Sequence, residues 1–199
     1  MEKKQNIMLS ISNDKLFLIE KYYKVNDFDS PQRILNNLVL LENISEKFSS
    51  SKNISVLDLG CGEGVLVNLL NTYFKKFSYV GIDIKKRSSW KKLENEYIKF
   101  FEFDISKDYD LQSFKPDLVI SHATLEHVKN DYKAVEIFFN KFPDSKHLHL
   151  VPAVHSFFSY RKHGYRRYSI RTLKRISNKL NIHFNIYPLG NPKIQKSDK

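Results

Sequence analysis

Three of the six glycines in this 199-residue chain stand within five positions, in Val56-Leu-Asp-Leu-Gly60-Cys-Gly62-Glu-Gly64-Val-Leu66. A chain this sparing of glycine places it where side chains are not tolerated. The loop is preceded by a β-branched and apolar run from Ile54 that stops at Asp58. It is followed by Val65, Leu66, Leu69 and Leu70 at helical spacing. Strand, glycine turn, helix is the arrangement that brings backbone close to a nucleotide-like ligand. A second constellation, Ser121-His-Ala-Thr-Leu-Glu126-His127-Val, offers a carboxylate and two imidazoles just after another apolar run, Leu118–Ile120. Those groups suit proton transfer near neutral pH.

The spacing Asp58-x-Gly60-x-Gly62-x-Gly64 is one residue tighter than the dinucleotide fingerprint, and no Lys-Ser/Thr follows as in a P-loop. It resembles motif I of the class I S-adenosylmethionine-dependent methyltransferases. The chemistry agrees, because S-adenosylmethionine carries an ammonium and a sulfonium but no phosphate. Acidic groups and outward carbonyls suit it better than an anion hole.

The resemblance runs from Ile54 to a helix near residue 180 and implies roles for named positions. Asp58, Gly60, Cys61, Gly62 and Gly64 would hold the methionine part of the cofactor. Asp83 would bridge the ribose hydroxyls, since one carboxylate offers two acceptors to two vicinal donors, with Ile84 beside it. Asp104, with Ile105, would meet the adenine amino group, unless Asp104 caps a turn. Ser121 would end the fourth strand in the cofactor site. Glu126, His127 and His122 would face the sulfonium or the acceptor as the catalytic set. Relatives that bind a divalent metal there carry Glu-x-x-Glu-His; here Ala123 stands at the first position, so no metal is expected.

His163-Gly-Tyr-Arg166-Arg167-Tyr168-Ser169 resembles a segment found before the last helix in a subset of these enzymes. Many of that subset act in cell-surface glycan or lipid pathways. It lies in a long loop with Arg161, Lys162, His155, Phe157 and Phe158. The implied acceptor ligands are His163, Arg166, Arg167 and Tyr168. The two guanidinium forks are expected to be open to an anionic acceptor, because Ser169 caps the helix that follows.

These residues need an α/β frame. The pattern predicts strands over 54–58, 78–83, 98–104, 118–121 and 147–151, and helices over 63–74, 86–96, 124–141 and 169–180. A last strand is expected over 182–188. Alternation of the two types implies a doubly wound, mostly parallel sheet, a Rossmann-like fold, with acids at three successive strand ends. Two further helices, 12–24 and 30–49, make residues 1–50 an N-terminal helical cap. The cofactor domain covers 51–190, and 191–199 is a polar tail. The family's final β-hairpin is shortened or missing, which opens the reading of a sheet completed in a homodimer.

Composition bounds the rest. No apolar run approaches the ~20 residues of a membrane span. One cysteine excludes a disulfide framework and radical chemistry at a cysteine triad, and it fits a reducing, cytoplasmic setting. The net charge of +11 is spread over lysine-rich sequence, with 161–175 as its one concentrated strip. The expected activity is methylation, at oxygen, of a small-molecule or glycan/lipid-linked acceptor that is anionic. The second choice is an RNA methyltransferase using 161–175. The third is a non-catalytic cofactor-binding partner of a larger enzyme.

Overall fold

The structure is a computed structural model, and it describes residues 53–111, 114–153, 164–183 and 186. The expected N-terminal helices, the tail, and the sites at His155 and His163 lie outside the described residues, as does most of the expected last strand.

Five parallel strands form one sheet: β1 Ile54–Leu59, β2 Phe77–Asp83, β3 Ile98–Glu102, β4 Leu118–His122 and β5 Lys146–Leu150, in the order β3-β2-β1-β4-β5. The helices are α1 Val65–Tyr73, α2 Trp90–Leu93, α3 Asp131–Lys141 and α4 Ile170–Leu180, with a 3-10 turn at Leu125–His127. The chain winds outward from β1 to β3, then crosses back to place β4 on the other side of β1. The order therefore reverses between β1 and β4, the position at which doubly wound sheets take their ligands, beyond the carboxyl ends of the strands.

β1 is buried along nearly its whole length, because both faces are covered. Val56, Tyr79, Phe100 and Ile120 pack with Leu66, Leu69 and Leu70 of α1 on one face. Leu57, Val80, Ile82 and Val119 pack with Ala134 and Phe138 of α3 on the other. α4 lays Leu173 and Ile176 on Leu125, Val135 and Tyr168. Its N-cap is Ser169, whose Oγ accepts from Thr172 N at 3.0 Å.

Two expected helices come out differently. The lysine-rich segment expected as helix over 86–96 is a single turn at Trp90–Leu93. Asn95 Oδ1 accepts from Tyr97 N and Ile98 N, and that side-chain turn feeds the chain straight into β3. The helix expected over 124–141 is broken after His127. The Glu126 carbonyl takes Tyr165 N at 2.6 Å, so it is committed to a distant segment rather than to the next helical turn. β3 ends at Glu102, two residues short of Asp104. Ile182 and His183 leave α4 without joining the sheet.

Candidate cofactor and acceptor site

β1 delivers Leu59 to the sheet end, and the chain then turns through Gly60, Gly62 and Gly64, at φ of +76°, +53° and +78°. The backbone donors of this turn are largely engaged within the protein. Gly60 N and Cys61 N donate to Ile82 O at 2.7 and 3.0 Å, Gly64 N to Cys61 O at 2.9 Å, and Gly62 N to Asp83 Oδ2 at 2.9 Å. With those N–H groups turned inward, the loop offers no nest for a pyrophosphate. Its anionic neighbours are carboxylates.

The three glycines do different things. A Cβ at Gly60 would fall 2.2 Å from Thr124 Cγ2, and one at Gly64 would press on Leu93 and Phe100. At Gly62 nothing lies within 4 Å of a would-be Cβ. Beside it, Ile84 is 70% exposed immediately after Asp83. An open glycine, a buried acid and an uncovered aliphatic side chain at one strand end fit a nucleoside with an amino-acid arm. The loop is braced from outside by Trp90, whose Nε1 donates to Gly62 O at 2.8 Å and whose ring stacks on Phe100.

Asp83 is buried and has two backbone donors, Gly62 N on Oδ2 and Lys85 N on Oδ1, with Arg87 at 3.8 Å. Asp58 lies deeper still. Tyr79 Oη donates to its Oδ2 at 2.7 Å. Burial pushes the Asp58 carboxyl up to about 7, against the pull of the Tyr79 hydrogen bond, and the nearby Asp83 adds to the rise. Burial also raises the Cys61 thiol, so Cys61 is an inert part of the core face. Asp104 Oδ1 accepts from Ser106 N and Ser106 Oγ at 2.9 and 2.8 Å, and those bonds hold its carboxyl below the usual range. It is at least a turn cap. Ile105 is buried under the sheet face with Leu57 and Leu59.

At the end of β4, Ser121 is fully buried and its Oγ meets His149 Nδ1 at 2.8 Å. Burial, with His147 next along, drops His149 to about 3, so it is neutral, and its Nε2 is covered without a hydrogen-bond partner among the described residues. His122 closes β4, and Ala123 turns the chain with φ +50°. Thr124 Oγ1 bridges His122 O and Gly60 O at 3.1 and 3.3 Å. This joins the Glu126–His127 turn to the glycine loop. Glu126 is buried, and its Oε1 lies 3.9 Å from Nε2 of His127, whose side chain is 43% exposed.

The expectation for Arg166 needs correcting. Its guanidinium is not open: Nη1 holds Asp131 Oδ1 and Nη2 the Lys129 carbonyl. Tyr168 is likewise buried, donating to Asp131 Oδ2 at 2.7 Å, with its backbone N on Pro152 O. Both residues fasten 164–168 to the start of α3, and the buried Asp131 is what draws them in. Arg167 Nη1 turns to the Arg166 carbonyl at 3.0 Å. Tyr165 is 67% exposed, and its backbone N holds Glu126 O. Gly164, at φ +73°, lies so close that a Cβ would meet Glu126 O at 2.7 Å. The segment therefore lies against Glu126 through backbone rather than charge.

Sequence reasoning passed over Tyr79, Trp90, Thr124, Asp131 and His149. Asp131 becomes an acid at a helix start only once the structure begins that helix at Asp131 rather than at 124.

A doubly wound sheet with a glycine turn at its switch point and acids at the ends of β1 and β2 defines a class I α/β cofactor-binding fold. Residues 32–187 match the family model described as "Methyltransferase domain", and the chain belongs to that family. S-adenosylmethionine is the family's methyl donor, and the cofactor that the loop geometry fits. A curated relative from Invertebrate iridescent virus 6, "Putative methyltransferase 235L", is 31% identical over 104 residues. That match takes in 47% of this chain and 38% of the relative. Among solved structures, the plantazolicin methyltransferase BamL, in complex with a triazolic desmethylPZN analog and SAH, shares the fold. Its TM-score is 0.62 at 23% identity, over 82% of this chain and 66% of BamL. A chain of the complex between the Haloferax volcanii Trm112 methyltransferase activator and the putative methyltransferase gives a TM-score of 0.58 at 13% identity, over 86% of this chain and 75% of that chain. The chain thus spans well under half of its viral relative and about two thirds of BamL.

Proposed function

We propose that this chain transfers a methyl group from S-adenosylmethionine to the oxygen of a small-molecule or glycan/lipid-linked acceptor. The observation that carries the cofactor half is the inward engagement of the Gly60, Cys61, Gly62 and Gly64 N–H groups beside Asp58 and Asp83. Such a site disfavours phosphates and favours a cationic ligand. The bound cofactor supplies an electrophilic methyl on a sulfonium, so the protein's part is mainly alignment and proton management.

In this reading the glycine loop holds the methionine arm, Asp83 takes the ribose hydroxyls and Ile84 covers the base. Thr124 fixes the distance between that arm and the 3-10 turn. His127 is open to the acceptor side and next to the buried Glu126 carboxyl, so it accepts the acceptor's hydroxyl proton through its exposed ring. The backbone of Gly164–Tyr165 forms the opposite wall.

The test is transfer of isotopic label from methyl-labelled S-adenosylmethionine into fractionated extract. Label in the small-molecule or glycan/lipid fraction supports the reading. Label confined to RNA would replace it with the nucleic-acid alternative. Binding without any transfer would favour a partner-subunit role.

A further inference from the structure

Tyr79 stands in the middle of β2, yet its phenol reaches over to Asp58 on β1, 2.7 Å away, with both residues buried. The register explains the reach. Asp58 pairs with Gly81, not with Tyr79. A Cβ at Gly81 would lie 2.7 Å from Phe100 and 2.9 Å from Cys61 Sγ, so no side chain stands opposite the carboxyl and the phenol arrives diagonally.

Packing alone does not ask for this hydroxyl, since a phenylalanine ring fills the same place in the cluster with Phe100. The groups facing Asp58 are Tyr79 and Asp83 from β2 and Cys61 from the loop, while α1 presents Leu66, Leu69 and Leu70. Arg87 reaches Asp83 instead, at 3.8 Å. Among the described residues the Asp58 carboxyl has one donor and a like charge, and no cation of its own. A buried carboxyl arranged in this way awaits a positive ligand.

We propose that Tyr79 is a positioning residue of the cofactor site: its hydroxyl fixes the Asp58 carboxyl for the cofactor's α-ammonium and makes cofactor entry a proton-releasing step. This rests on the reading that S-adenosylmethionine binds at the glycine loop. As the ammonium docks, the O–H bond of the protonated Asp58 carboxyl breaks, the electron pair stays on the carboxylate and the proton passes to water. Near neutral pH the free chain holds both forms of Asp58, so the release is measurable.

The experiment titrates S-adenosylhomocysteine, which carries the same ammonium, into wild type, Tyr79→Phe and Asp58→Asn between pH 6 and 8. A parallel series uses 5′-methylthioadenosine, which keeps the nucleoside and thioether but has no amino-acid arm. Wild-type affinity for S-adenosylhomocysteine should rise about tenfold across that range, the linkage of one proton to a group titrating near its middle. Tyr79→Phe should move the rise to higher pH, because the phenol's bond favours the ionised form. Asp58→Asn and the methylthioadenosine series should be flat. An unmoved profile in Tyr79→Phe, or an equal slope for methylthioadenosine in wild type, would overturn the proposal. Absence of any S-adenosylhomocysteine binding would instead remove the cofactor reading beneath it, and the wild-type comparison stands even if a variant fails to fold.

Discussion

Thr124 sits directly on Gly60. Its hydroxyl donates to the Gly60 carbonyl at 3.3 Å, and its methyl occupies the space a Gly60 side chain would need. One contact thus sets the spacing between the cofactor loop and the turn that carries Glu126 and His127. Gly60→Ala would place a methyl 2.2 Å from Thr124 Cγ2 at a φ of +76°. We expect it to destabilise the fold by at least about 2 kcal/mol, from left-handed strain and overpacking together. Gly62→Ala should cost only the strain, about 1 kcal/mol, but should weaken S-adenosylmethionine binding through the methyl it adds to an open cradle. Denaturant melts and cofactor titrations of the two variants check this crossover. Equal effects on both readouts would contradict it.

Asp83 holds the glycine loop through Gly62 N, and in the proposed function it also takes the ribose hydroxyls. Asp83→Ala should lower cofactor affinity by about 2 kcal/mol, roughly thirtyfold, by calorimetry. An affinity equal to wild type would take Asp83 out of the site.

Arg166 and Tyr168 converge on one carboxylate, Asp131. Arg166→Ala leaves a charge buried without its counterpart, and we expect a loss of about 3 kcal/mol in a urea melt. Tyr168→Phe should lose about 1 kcal/mol. Cofactor affinity should stay within twofold in both. A fully stable Arg166→Ala would show that its guanidinium does not hold the segment.

Burial of His149 makes the fold acid-sensitive. The His149 value of about 3 lies below the ordinary 6.5, so the unfolded chain binds the proton that the folded chain refuses. Stability is therefore lost as pH falls from about 6.5 towards 3, by about 2 kcal/mol at pH 5. Asp58 works in the other direction between about 4 and 7, since its folded form retains a proton. His149→Asn should flatten the acid decline relative to wild type. A parallel pH profile for the two would contradict the burial of that ring.

The legible part of the molecule was the part built on local chemistry. The glycine turn, the acids closing β1 and β2, the parallel sheet and the Ser169 cap follow from residue types at short spacing. Arg166 misled, because its partner Asp131 is distant in sequence and close only after α4 packs on α3. The helix expected over 124–141 fails for the same reason in backbone form, whereas the one expected over 86–96 is ended by a local side-chain turn. Tyr165 takes the Glu126 carbonyl, and Asn95 turns the chain into β3. Tyr79 reads as one more β-strand aromatic until the register shows Gly81 opposite Asp58.

The most direct test is a calorimetric titration of the purified chain with S-adenosylmethionine, set beside NAD and ATP. A loop whose N–H groups are engaged inward and whose open face is lined by Gly62, Asp83 and Ile84 should bind S-adenosylmethionine saturably. S-adenosylhomocysteine should displace it, and neither phosphate-bearing ligand should show heat. Failure to bind S-adenosylmethionine, or binding of NAD in its place, would contradict the account.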